Sequence, residues 1–159
     1  MKALVFALAL FAGAAQAFTG VVTRVSDGDT LWVRPDVAAE QPARKPVKLR
    51  LRGIDAPERC QPWGPQARAA LEARVLHRRV DVAAKFKDDY DRLLGDLRLD
   101  GDDVSAWMVE QGHAWSHRYR GKGPYGELED QARAAARGLF GERDPMQPRL
   151  FRQWHGPCG

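Results

Sequence analysis

Acids and cations meet at one point of the chain, the stretch Val47-Lys48-Leu49-Arg50-Leu51-Arg52-Gly53-Ile54-Asp55-Ala56-Pro57-Glu58. As a strand it turns Val47, Leu49 and Leu51 to a core and Lys48, Arg50 and Arg52 to the opposite face. Gly53 and Pro57 end the alternation, leaving Asp55 and Glu58 on a turn just beyond the cationic face. Carboxylates so placed can hold a cation or move a proton, and an arginine fork can hold two oxygens of an anion at once. Two further patches carry the same residue types. Asp27 and Asp29 flank Gly28; ordinary Asp-Gly turn chemistry accounts for Asp27, but a second acid opening the returning strand adds like-charge repulsion, and such pairs are often kept to hold a cation. Tyr90 and Arg92 follow an aspartate-rich turn, with Arg92 presented from a strand face away from the core, as Arg50 is. Taken alone, the central stretch reads equally well as a solvated, ion-paired strand face.

Those residues must be positioned by a chain of 159 residues with a sequence pI near 9.3, long enough for one domain with a sizeable core. Its first 17 residues read as a secretory signal: Lys2, an apolar run from Ala3 to Ala12, then the small-x-small pattern Ala15-Gln16-Ala17. The mature domain is therefore expected to run from Phe18 to Gly159, outside the cytoplasm in the periplasm or the medium. No apolar run is long enough to span a membrane. The formal net charge is +4, or +3 without Lys2, which favours polyanions only weakly, so cation placement matters more than the sum. In an oxidising compartment Cys60 and Cys158 are expected to form a disulfide tying the tail to the Glu58 turn. Neither has a second Cys or a His at metal-ligand spacing.

Taken in order, Thr19–Val25 reads as a strand, Ser26–Asp29 as a turn and Thr30–Val33 as its hairpin partner. A proline-rich loop leads into the central strand. Gly64-Pro65 opens a helix carrying Ala67, Leu71 and Val75 on one stripe. Val80–Phe86 and Leu93–Leu99 alternate as the fourth and fifth strands. A second helix runs from Asp103, a plausible N-cap, to Gln111, and a third from Glu127 to Arg137 with Leu128, Ala132 and Ala135 on one stripe. Trp115, His117 and Tyr119 lie two apart, suited either to base stacking or to a partly buried aromatic edge. The tail from Asp144, with Trp154, is expected to lie over the domain. The pattern suits an α+β, mainly β fold: a five-stranded Greek-key barrel of the OB type with three helices, a class that binds oligonucleotides across strands two and three.

An Asp-Gly-Asp-Thr hairpin, Arg50 five residues before Asp55, an Asp-Ala-Pro-Glu turn and Tyr90-x-Arg92, in that order, resemble the staphylococcal nuclease family over essentially the whole mature chain. The resemblance implies a nuclease that hydrolyses phosphodiesters of DNA and/or RNA with Ca2+. It implies Asp29, Asp55 and the Ala56 carbonyl as metal ligands and Glu58 as the residue that orients or deprotonates the attacking water. It further implies Arg50 and Arg92 on the scissile phosphate, Tyr90 in contact with phosphate, and Asp27 close to the metal. Ala56 replaces the prototype's threonine but keeps the carbonyl. Asp91 stands where a glycine is often found and is within reach of Arg92.

The residue types suit that chemistry independently of the family. Phosphodiester hydrolysis needs a hydroxide equivalent and positive charge around an increasingly anionic phosphorus. Arginine forks supply charge at any working pH, hard oxygens suit Ca2+, and Glu58, three residues beyond Asp55, is the acid left to take a proton. The alternative from another class is a non-catalytic OB-type nucleic-acid-binding module, though such modules usually lack the acids and arginines present here. A monomer is expected.

Overall fold

The computed structural model describes residues 16–117, 123–156 and 158, and its first elements follow the hydrophobic alternation. The chain enters as β1 (Gln16–Val25), turns at Asp27-Gly28 and returns as the antiparallel β2 (Thr30–Pro35). A bulge between Val22 and Arg24 lets Val22 and Val25 both face inward despite their odd spacing. Then come β3 (Val47–Leu51), the two-residue β4 (Ile54–Asp55), α1 (Gly64–Val75), β5 (Arg79–Lys87) and β6 (Leu93–Leu99). The strand order β3-β2-β1-β5-β6 is closed by parallel pairing of β3 with β6, with Leu49 opposite Leu93 and Leu51 opposite Gly95. This is the expected five-stranded barrel of OB type. Leu31, Val33, Leu49, Leu51, Val82 and Leu97 fill its interior, Leu71 and Val75 of α1 pack on the same core, and Ala67 is buried against the Gly28 turn. No helix among the described residues is long and apolar enough to cross a membrane.

Beyond the barrel come β7 (Asp102–Asp103), α2 (Val104–Glu110) and β8 (Trp115–Ser116), the last paired with β4. Asp103 caps α2 as expected, accepting the Ala106 N–H at 3.1 Å. Then follow α3 (Gly126–Ala134), a 3-10 turn (Gly138–Gly141) and α4 (Pro148–His155). Among the described residues the α-helices thus number four rather than three. The third helix is shorter than expected: it stops at Ala134 because Ala136 takes a left-handed conformation at φ 48°, and the Arg137 N–H reaches back to the Ala132 carbonyl. Ala135 is accordingly exposed, and Leu139 of the 3-10 turn is buried in its place. The tail, expected to lie over the domain, forms α4 there, held by Phe151 and by the Gln61 side chain donating to the Met146 carbonyl at 2.6 Å. Trp154 points outward, 69% exposed.

Cys60 and Cys158 are joined, with their Cα atoms 5.7 Å apart, so the end of α4 is fastened two residues beyond Glu58. Residues 1–15 of the expected signal, and Tyr119, lie outside the described residues. Gln16 and Ala17, which precede the expected mature start, stand opposite Ala84 and Ala83 in β1.

At the turn from α2 to β8, His113 is stacked on Trp63 and accepts its indole N–H at 3.2 Å. Burial holds the imidazole below its ordinary pKa. The unfolded chain therefore binds the proton more readily, so this contribution to stability is complete above pH ~6.5 and is lost as pH falls through the folded value. The melting temperature of the parent should fall from pH 7.5 to 5.5 by more than that of His113→Gln. An equal fall in both proteins would remove His113 as the cause.

Candidate active site

The β1–β2 turn, the end of β3 and the loop after β4 converge because Asp29 joins them. Its Oδ1 accepts the Thr30 hydroxyl at 3.0 Å and its Oδ2 accepts the Ala56 N–H at 2.8 Å. Arg50, opposite Thr30 in the β2–β3 ladder, lies between the two turns. Its Nη2 is 3.0 Å from Asp29 and 3.2 Å from Asp55, while Nη1 donates to the Leu51 and Ile54 carbonyls. The fork is thereby fixed in a largely buried position. Asp27 accepts the Asp29 N–H, so the second acid of the hairpin is tied to the first.

Glu58 is placed by a tight loop. Its N–H donates to Gln61 Oε1, its carbonyl accepts the Gln61 N–H, and Gly64 packs so close to that carbonyl that a Cβ there would collide with it. A cavity of about 450 Å3 gathers Asp27, Asp29, Arg50, Asp55, Ala56 and Glu58. Tyr90 and Arg92 line it from the β5–β6 turn. All eight residues suggested for the site, apart from the cysteines, are therefore brought together.

Asp91, however, is not the partner of Arg92. Asp88 is: its Oδ1 accepts the N–H groups of Tyr90 and Arg92, turning Oδ2 onto the Arg92 guanidinium at 2.7 Å. Asp91, left-handed at φ 56°, turns instead to Lys87. Burial acts against the Asp88 carboxylate, but the hydrogen bonds from Arg92 and Tyr90 outweigh it and hold its pKa below the usual range. Tyr90 is 79% exposed, with its ring under the Arg92 guanidinium.

Sequence reasoning missed Arg152. From α4 its Nη1 donates to Glu58 Oε1 at 2.6 Å and its Nη2 to Asp55 Oδ2 at 3.1 Å. The only signal pointing to it was the cysteine pair, which brings the tail to the Glu58 turn. Of the aromatic trio, Trp115 is buried edge-on against Phe140, and its indole nitrogen has no hydrogen-bond partner among the described residues. His117 is exposed on the wall of the cavity.

Among the described residues, no three His, Cys, Asp or Glu side chains are gathered so as to hold a metal ion. The donors at the centre nevertheless suit a hard divalent cation: two buried carboxylates, Asp29 and Asp55, and the main-chain oxygen of Ala56 in the same loop, with no thiolate. The electrostatics agree. Burial first and the charge of Asp29 second push the Asp27 carboxyl up to about 7. The same two causes raise Asp55 against the pull of Arg152 and Arg50. Burial is the larger cause in both; the second, the repulsion from Asp29, is the part that a further cation would relieve.

The family model described as "Staphylococcal nuclease homologue" matches residues 48–142. The chain is 36% identical over 146 residues to Protein ParB of Escherichia coli, covering 84% of this chain and 78% of that one. To an uncharacterized endonuclease of Haemophilus influenzae it is 32% identical, covering 83% and 71% of the two chains. To a micrococcal nuclease of Shigella flexneri it is 34% identical, covering 86% and 81%.

Proposed function

Since the chain belongs to the staphylococcal nuclease family, and is a nuclease on that ground, we propose that it is an exported, Ca2+-dependent enzyme that hydrolyses phosphodiester bonds of DNA and/or RNA at the Arg50–Asp55–Glu58 cavity. The observation that carries this reading is the pairing of Arg50 with both Asp29 and Asp55 beside Glu58. It puts cation donors, an anion-binding fork and a proton acceptor within one small space. Asp29, Asp55 and the Ala56 carbonyl would hold Ca2+, which when bound supplies neutralising charge for a phosphate oxygen and a place for the nucleophilic water.

Glu58 takes a proton from that water as its oxygen bonds to phosphorus. The ester oxygen departs with the bonding pair and is protonated from solvent. Arg50, whose fork is already held by two carbonyls, and Arg92, braced by Asp88, face the non-bridging oxygens where charge grows. Tyr90 would contact an adjoining phosphate, and Asp27, held by the Asp29 N–H, would add negative charge close to the residues that hold the cation. The signal-like first 17 residues and the Cys60–Cys158 bridge support export to the periplasm or medium, with the domain from Phe18 onward acting as a monomer.

The test is cleavage of plasmid DNA and of RNA by the mature protein. Cleavage should vanish in excess chelator and return with Ca2+ but not with Zn2+. Full activity in chelator removes the metal assignment, and tight binding without cleavage in Ca2+ turns the protein into a binding module.

A further inference from the structure

Arg152 has no place in the family pattern of this chain, yet it makes the shortest contact to the proposed base. Two guanidiniums flank Asp55: Arg50 reaches Oδ1 from the barrel at 3.2 Å, and Arg152 reaches Oδ2 from α4 at 3.1 Å and Oδ1 at 3.3 Å. Arg152 also holds Glu58 Oε1 at 2.6 Å. A guanidinium carries five N–H donors, and these contacts occupy three, on a side chain that is 41% exposed. Arg152 stands, moreover, where two cavities meet. It lines the 450 Å3 cavity of the candidate site and a neighbouring one of about 760 Å3 between β8, α3 and α4. Asp55 and His117 line both cavities as well, so a strand running from one to the other passes beside these three side chains.

The placement is built into the chain. Phe151 is buried beneath α4, Gln61 of the Glu58 loop grips the segment before it, and the Cys60–Cys158 bridge fastens the segment after it to that same loop. Three independent contacts thus hold the helix against the loop that carries Glu58.

We propose that Arg152 is a third catalytic arginine of this nuclease, a residue that grips a non-bridging oxygen of the phosphate under attack from the side opposite Arg50. The proposal rests on the nuclease reading above. Water adds to phosphorus, its proton goes to Glu58 and the ester oxygen leaves with its electron pair. The phosphorane-like state carries more charge on its non-bridging oxygens than the diester does, and Arg152 acts by binding that extra charge, with no proton or electron pair passing through it. In the free protein the same fork rests on Asp55 and Glu58. Asp55, as a proposed donor to a divalent cation, would then be shared between that cation and Arg152, and Arg152 would be free to turn toward the phosphate.

The experiment compares the parent, Arg152→Ala, Arg152→Lys and, as a control on the same helix, the exposed Gln153→Ala, all with Ca2+ and a single-stranded oligonucleotide. Both Arg152 variants should lose kcat by about 10²- to 10³-fold, as expected for removal of a transition-state donor, with KM changed only a few-fold. Lysine keeps the charge but loses the fork. Added guanidinium at millimolar levels should recover part of the rate in Arg152→Ala and none in Arg152→Lys. Calorimetric titration with Ca2+ should show tighter binding to Arg152→Ala than to the parent, since a competitor for Asp55 has gone. Melting temperatures should stay within a few degrees of the parent, and Gln153→Ala should match it throughout. Parental kcat in either Arg152 variant overturns the proposal. So does a rate loss that appears only together with a melting temperature lowered enough to unfold the protein at the assay temperature and that guanidinium does not relieve. Failure of the parent to cleave any nucleic acid in Ca2+ is a separate result, and it strikes the nuclease reading itself.

Discussion

Glu58→Gln is expected to lower kcat by about 10²- to 10⁴-fold while leaving nucleic-acid affinity within a few-fold of the parent. Glutamine keeps the length and the planar head of glutamate, so the side chain still fits beside Arg152 and the loop geometry survives. That geometry depends on the backbone, through the Glu58 N–H to Gln61 and the packing of Gly64 on the Glu58 carbonyl, and the substitution touches neither. What is lost is one of the two described carboxylates of the centre that Arg50 does not pair with; the other, Asp27, is held by the Asp29 N–H. Asp29 and Asp55 both lie against the Arg50 fork and are the proposed cation donors, so neither is free to take over as base under that reading. The measurement is single-turnover cleavage of an oligonucleotide in Ca2+ alongside equilibrium binding of the same oligonucleotide. A Glu58→Gln protein that cleaves like the parent places the base elsewhere. One that loses binding and rate together makes Glu58 part of the binding surface rather than the proton acceptor.

How readily each part of this centre could be read from the chain follows the range of the forces that build it. The barrel strands were legible because side-chain alternation is local: Val47, Leu49 and Leu51 announce one face whatever follows. The Arg50-to-Asp55 relation was legible for the same reason, since a strand and a short turn fix five residues almost by themselves. Asp91 shows the limit of that logic. Adjacency to Arg92 suggested a pair, but a left-handed turn residue points away, and Asp88 wins because its carboxylate caps the backbone N–H groups of the same turn.

The end of α3 fails for a related reason. Ala135, Ala136 and Arg137 are good helix formers, yet the chain must leave the helix for Leu139 to reach the core, and tertiary packing overrides propensity. Trp115 belongs to neither extreme: its spacing marked an extended segment correctly, but spacing cannot say whether a two-residue strand faces solvent or core. Arg152 was beyond reach of any local rule. Only Pro148 and Phe151 of α4 are buried, so no helical stripe marks the helix, and its contact with Asp55 spans 97 residues.

Removing the Cys60–Cys158 bridge should produce the largest change in stability. The bond closes a loop of 98 residues that contains α1, the barrel strands β5 and β6, and every later helix. For a loop of that size the chain-entropy model gives about 4.7 kcal/mol, an upper figure because residual structure in the reduced, unfolded chain subtracts from it. In a domain of this length that corresponds to a fall in melting temperature of roughly 10–15 °C. The barrel itself should persist in the reduced protein at room temperature, since its core residues and the β3–β6 closure do not depend on the bridge. The tail is in a different position. Without the bond, α4 is held by Phe151, by Gln61 on the Met146 carbonyl and by the partly exposed Arg152 pairs, which is little for an eight-residue helix. Hydrogen exchange in the Cys60→Ser/Cys158→Ser variant should therefore rise first in α4 and the Glu58 loop, well below the melting transition, while β3 and β6 stay protected. A melting temperature unchanged within a degree on reduction, together with parental protection of α4, would mean that packing alone seats the helix.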